Sequence, residues 1–171
     1  SQAARIEHPH GVAADDCHDV TDPAQFNQGW VLVRAPSRSE ADLLKALRHG
    51  DFYACRGTSG KAPSLTVRAT RRVDGVGWDV TARSEPGVQL HWIAGGKIVA
   101  KGPGPVLAYT PRGDEGTVRA EALGAGNGRT YSQPLEVVRS PRMTLTVKGS
   151  AVRLRFEDGV GRAVTLRQPL R

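Results

Sequence analysis

From Leu65 onward the chain alternates. Leu65, Val67 and Ala69 interleave with Thr66, Arg68 and Thr70, and Trp78, Val80 and Ala82 with Asp79, Thr81 and Arg83. Val88, Leu90 and Trp92 repeat the pattern, as do Val118, Ala120 and Ala122. A period of two sends successive side chains to opposite faces of a strand, and no helix becomes amphipathic on it. Turn residues separate the runs at Asp74-Gly75, Glu85-Pro86-Gly87 and Gly95-Gly96. Gly124-Ala125-Gly126-Asn127-Gly128 reads as a hairpin loop, with Tyr131 to Val138 as its return strand. Beyond Pro141 three further strands are predicted, Met143–Val147, Ala151–Phe156 and Arg162–Leu166, with a turn at Glu157-Asp158-Gly159. Short strands at this spacing predict a mostly antiparallel β-sandwich or barrel over residues 61–171. Trp78 and Trp92 fall on the apolar positions, which assigns them to the core. Exposed side by side, they would instead form a platform for a sugar.

Residues 1–60 read differently, as mixed α/β. Val12 to Ala14 predicts a short buried strand ending at Asp15-Asp16, followed by a loop with the turn signal Asp22-Pro23. Trp30 to Ala35 reads as a strand that Pro36 stops. Ser39 is placed to cap a helix and Asp42 to complete a variant capping box. Leu43, Leu44 and Leu47 make the apolar stripe, His49 suits the negative C-terminal end, and Gly50 suits a left-handed terminator. Asp51 to Cys55 is a second strand candidate, leading into the glycine-rich Arg56-Gly57-Thr58-Ser59-Gly60. The expected class is α+β, with a division near residue 60.

The 24 Lys and Arg against 17 Asp and Glu leave a net charge of +7. The basic residues are spread through strand-like segments, as in Arg153 and Arg155, which suits a solvated sheet face and makes nucleic acid an unlikely partner. Cys17 and Cys55 form neither a disulfide framework nor a CxxC knuckle, which is compatible with a reduced, cytoplasmic setting. No apolar run approaches the ~18 residues of a membrane span, and no signal peptide is visible. The chain begins at Ser1 and runs almost at once into the acidic segment, so a natural N-terminal portion is expected upstream.

The chemistry concentrates in Asp15-Asp16-Cys17-His18. On a strand, residues i and i+2 share a face about 6.5–7 Å apart, so Asp16 and His18 can converge on one divalent metal or on two neighbouring ones. On the same geometry Asp15 and Cys17 face away, Asp15 as a supporting or surface group and Cys17 as a small buried hydrophobe. The plain alternative is that Asp16 caps a turn and His18 is hydrogen-bonded within it. His8 and His10 share the i, i+2 spacing, but Pro9 between them favours a surface turn, and His91 is expected to face solvent. Arg56 and its glycine-rich loop can bind an anion through guanidinium and backbone N–H groups, or can simply link two domains.

The order of these pieces resembles the C-terminal part of the polymerase and histidinol phosphatase (PHP) family of metal-dependent phosphoesterases. The resemblance runs through Gly11-Val12-Ala13-Ala14-Asp15-Asp16-Cys17-His18, Gly29-Trp30-Val31-Leu32-Val33-Arg34-Ala35, the helix, and Gly50-Asp51-Phe52-Tyr53-Ala54-Cys55-Arg56-Gly57. It continues weakly in Gly116 to Ala122 and Tyr131 to Val137. The resemblance implies the C-terminal end of a distorted (β/α) barrel over 1–60, followed by the accessory β-sandwich. It implies divalent metal ions (Zn, Mn or Fe) that activate water against a phosphate-ester substrate, with Asp16 and His18 as the last metal ligands. The family's His-x-His pair, bridging Glu and further histidines have no counterpart here. The chain by itself is therefore expected to be an incomplete hydrolase.

Overall fold

The computed structural model describes residues 10–73, 77–137, 142–148, 151–157 and 163–169. Its strands are β1 (Gly29–Val33), β2 (Phe52–Arg56), β3 (Thr66–Arg71), β4 (Trp78–Arg83), β5 (Gln89–Ala94), β6 (Lys97–Pro103), β7 (Val106–Tyr109), β8 (Thr117–Leu123), β9 (Arg129–Ser132) and β10 (Leu135–Glu136). β11 (Arg142–Lys148), β12 (Ala151–Glu157) and β13 (Ala163–Pro169) follow; the described α-helix is α1 (Glu40–His49), and a short 3₁₀ turn spans Thr58–Gly60. The fold is α+β and strand-rich, and every described strand pairing is antiparallel.

The helix starts and stops on local chemistry. Ser39 is extended (φ −65°, ψ 148°) and its hydroxyl accepts the Asp42 N–H at 3.3 Å. The return leg runs through a third residue: the Ser37 hydroxyl accepts the Ser39 N–H and donates to the Asp42 carboxylate. Gly50 ends the helix at φ 75°, a conformation that costs glycine little. His49 Nδ1 lies 2.7 Å from the Lys45 carbonyl oxygen in the last turn. Ala46 is buried and Leu43 and Leu47 half-buried, whereas Leu44 turns outward.

One sheet carries β1, β2, β9, β8, β5 and β6 in that order, with β10 added beside β8. A second sheet holds β3, β4 and β7. The alternating residues Val80 and Ala82 of the second sheet meet Leu90, Trp92, Ala94, Val118, Ala120 and Ala122 of the first in one core, closed by Leu65, Val88 and Val137. Trp92 is 0 % exposed, and its indole N–H donates to the Leu107 carbonyl at 3.1 Å, so its one polar atom is satisfied. Trp78 is half-buried on the same alternating face. β11, β12 and β13 form a third sheet in which Leu145, Leu154 and Leu166 stand in register.

The described residues depart from three expectations. A (β/α) barrel needs parallel strands alternating with helices. Residues 10–60 instead contain β1 and β2, joined through α1 and paired antiparallel from Gly29↔Arg56 to Val33↔Phe52. The division near residue 60 also runs through a continuous sheet, because β2 pairs with β9 from Tyr53↔Ser132 to Arg56↔Arg129. The predicted strand at Val12–Ala14 forms no ladder, and Val12 is 73 % exposed. Elsewhere β6 and β7 follow the Gly95-Gly96 turn where no strand was predicted, and the predicted return strand breaks into β9 and β10 at Gln133-Pro134. The turns at Asp74-Gly75 and Asp158-Gly159, and His8, lie outside the described residues.

Candidate functional site

The Asp15-Asp16-Cys17-His18 segment sits against the start of β1. The Asp15 carboxylate accepts the backbone N–H groups of Asn27 (2.8 Å), Gln28 and Gly29. The N–H of Gly29 foremost holds this carboxyl below the usual aspartate range; burial pushes the other way, and the N–H groups of Asn27 and Gln28 add to the lowering. Asp15 therefore faces the fold, not away from it. The reason is backbone accounting: at the entrance to β1, Asn27 takes up φ 58° and three consecutive N–H groups converge on one anion.

The loop between them is held by two more aspartates. Asp19 accepts the Thr21 hydroxyl (2.7 Å) and N–H (2.9 Å), and Asp22 accepts the Ala24 N–H (2.9 Å) and the Gln25 amide (2.9 Å). These bonds lower both carboxyl pKa values, chiefly through the Thr21 hydroxyl at Asp19 and the Ala24 N–H at Asp22. They are side-chain turns of the kind aspartate favours. Gln25 Oε1 in turn accepts the His18 N–H at 3.2 Å.

Asp16 has φ 54°, in the left-handed region, so the i, i+2 strand geometry expected for Asp16 and His18 does not apply. Both side chains are exposed. Among the described residues neither the Asp16 carboxylate nor the His18 imidazole has a hydrogen-bond or ion-pair partner. Cys17 between them is a half-buried free thiol, whereas Cys55 is fully buried and burial pushes its thiol pKa up. Among the described residues, no three His, Cys, Asp or Glu side chains come together as a metal-binding group.

Arg56 is exposed at the end of β2, opposite Gly29. Asp15 binds the N–H of that same Gly29, so the topology brings the acidic segment and Arg56 to one end of the β1–β2 pair. A Cβ on Gly29 would lie 2.5 Å from the Ala14 carbonyl oxygen. Ala14 thus packs over Gly29 on the side where a side chain would stand. The loop after Arg56 is tied back by Gly57 N–H to Gln28 O (2.9 Å) and Gly60 N–H to Asn27 O (3.0 Å). A Cβ on Gly57 would fall 1.7 Å from the Lys61 carbonyl oxygen, so the glycine there answers a close backbone approach.

His10 and His91 stand elsewhere. The His10 ring meets Phe52 edge-on at 5.9 Å and lies over Gly50. His91 is half-buried opposite Glu121 on β8 and Lys101 on β6. One residue that the sequence did not single out joins the site: Arg129 on β9, in register with Arg56. Its only local signal is the glycine-rich hairpin loop just before it, and nothing local announces that β9 pairs with β2. No family model, curated protein or solved structure matches the chain. No described helix is long and apolar enough to cross a membrane.

Proposed function

We propose that this chain is the C-terminal region of a PHP-type metal-dependent phosphoesterase. In this reading Asp16 and His18 ligate a divalent Zn, Mn or Fe ion, and Arg56 contacts the phosphoryl group. The observation that carries it is the division of labour in Asp15-Asp16. Asp15 is consumed by three backbone N–H groups, while Asp16 and His18 are turned outward at the edge that also bears Arg56. A carboxylate oxygen and an imidazole nitrogen suit all three metals. Two donors leave most coordination positions open, so the remaining ligands come from beyond the described residues. The metal supplies a lowered water pKa and polarisation of the phosphoryl oxygens. This chain's own part is to hold two donors on a loop fixed by Asp15, Asp19 and Asp22, and to present a guanidinium to the anion. The β strands after Lys61 serve as an accessory sandwich whose sheet carries that edge.

The test is Mn²⁺ titration of the ¹⁵N-labelled chain. Selective paramagnetic broadening of Asp16, Cys17 and His18 amides is expected, and it should vanish in the Asp16→Ala/His18→Ala double variant. Broadening that ignores the double substitution, or none at millimolar Mn²⁺, rejects the assignment. The chain alone is expected not to turn over an aryl phosphate.

A second reading, a non-catalytic β-sandwich that binds or scaffolds, draws on the core shared by the seven-stranded sheet and the β3–β4–β7 sheet. Burial of Trp92 argues against its sugar-platform version.

A further inference from the structure

We propose that Arg129 and Arg56 form a two-arginine clamp for the phosphoryl group, with half of the anion site supplied by the hairpin β8–β9. The identity of the anion rests on the phosphoesterase reading. The clamp itself rests on register. Gly29, Arg56, Arg129 and Leu123 stand in one cross-strand row over β1, β2, β9 and β8. Directly opposed residues of antiparallel neighbours project to the same face, with Cβ atoms ~4.5–5.5 Å apart. Both arginines are exposed at the end of their strands.

Like charges directly opposite each other on a sheet are unfavourable unless an anion lies between them. Arg119 on β8 is neutralised by Glu121 at 2.7 Å. Among the described residues neither Arg56 nor Arg129 has a carboxylate within ion-pair distance. The row offers none, since its other members are Gly29 and Leu123. Two guanidinium forks side by side match the oxygens of a tetrahedral dianion, each able to donate two parallel N–H bonds.

The position ties the pair to the candidate metal ligands. The Ala14 carbonyl oxygen occupies the place of a Gly29 side chain, so it stands on the face onto which Arg56 and Arg129 project. Asp15 pins that segment to the Gly29 N–H, and the exposed Asp16 and His18 follow. Asp15 is already engaged by three N–H donors.

The experiment is titration of the 171-residue chain with inorganic phosphate at low salt, followed by ¹H–¹⁵N shifts, with and without Mn²⁺. Arg129→Gln and Arg56→Gln are each expected to weaken phosphate binding at least tenfold while keeping the wild-type spectrum of the core. Arg129→Lys should recover only part of the affinity, because it restores charge without the fork. Arg68→Gln, on exposed β3, should behave as wild type. Phosphate binding indifferent to Arg129→Gln overturns the clamp. Should Mn²⁺ broaden Asp16 and His18 in that case, the metal reading survives alone. An Arg129-dependent phosphate response without Mn²⁺ broadening keeps the clamp and rejects the metal reading.

Discussion

Gly11 and Gln133, 122 positions apart, bond to each other twice. The Gly11 N–H donates to Gln133 Oε1 at 2.9 Å, and Gln133 Nε2 donates to the Gly11 carbonyl at 2.9 Å. Gln133 is only 7 % exposed, so its amide serves as a surrogate strand edge for a segment that has no ladder of its own. This contact sets where the chain enters the site, four residues before Asp15.

Removing that amide is expected to release the entering segment. Gln133→Ala removes both bonds to the exposed Gly11 backbone, at a cost of about 0.5–1.5 kcal/mol per bond. Gln133→Glu keeps the acceptor for the Gly11 N–H but sets a carboxylate oxygen against the Gly11 carbonyl. Both variants should raise amide exchange at Gly11 and leave exchange in β5 and β8 unchanged. Equal protection at Gly11 in wild type and variants would count against the clasp.

The seat of Asp15 can be tested from either side. Asp15→Ala is expected to raise amide exchange at Asn27, Gln28 and Gly29 at least tenfold. Gly29→Ala introduces a Cβ 2.5 Å from a backbone oxygen and should lift the same segment, costing about 1–3 kcal/mol. Gly11→Ala meets nothing within 4 Å and should change stability by less than about 0.5 kcal/mol. Because Asp15 has a lowered pKa in the fold, its contribution is present above the ordinary aspartate range and lost as pH falls through the lowered value.

Trp92 anchors the core between the seven-stranded sheet and the β3–β4–β7 sheet. Trp92→Ala should cost about 3–5 kcal/mol through lost burial and the cavity left behind. Trp92→Phe keeps most of the apolar volume but orphans the Leu107 carbonyl, for about 1–3 kcal/mol. Urea midpoints rank the three proteins. A Trp92→Phe variant as weak as Trp92→Ala would mean that the hydrogen bond to Leu107 contributes more than packing.

Glu115 links the β7 end to the β8 start and predicts acid sensitivity. Burial pushes its pKa up, but the Arg112 N–H, the Tyr109 hydroxyl and the Gly113 N–H together hold it at about 2, against an ordinary 4.5. A depressed folded pKa stabilises at full strength above the unfolded value, so the contribution is complete above about pH 4.5 and is lost toward pH 2. Glu115→Gln should lower stability near neutral pH by about 1–2 kcal/mol, allowing for solvent screening, and its curve should converge on wild type near pH 2. A wild-type-minus-variant difference that stays constant across this range contradicts the assignment.

The elements with purely local causes were legible in the sequence. The helix from Glu40 to His49 follows from a capping serine, an apolar stripe and Gly50, all within one short window. The alternation around Val80, Leu90 and Val118 likewise names the core face, because a strand's two faces depend only on its own order of residues. Even so, alternation said nothing about β6 and β7, where glycine and proline interrupt the pattern.

The site was legible as residue types and not as geometry. Asp16 and His18 were chosen on a strand spacing, and the left-handed turn at Asp16 removes that premise while leaving both groups exposed. Asp15 looked like the spare carboxylate and is the one the fold uses, because three N–H groups from residues 27–29 converge on it. Arg129 had only the glycine-rich hairpin loop before it as a local mark. Its place beside Arg56 exists only because β9 inserts between β2 and β8. The sequence by itself determined the helix, most of the strands and which of their faces are apolar. The tertiary structure alone decided which strands pair, and therefore which charges meet, since pairing depends on backbone hydrogen bonds between segments more than seventy residues apart.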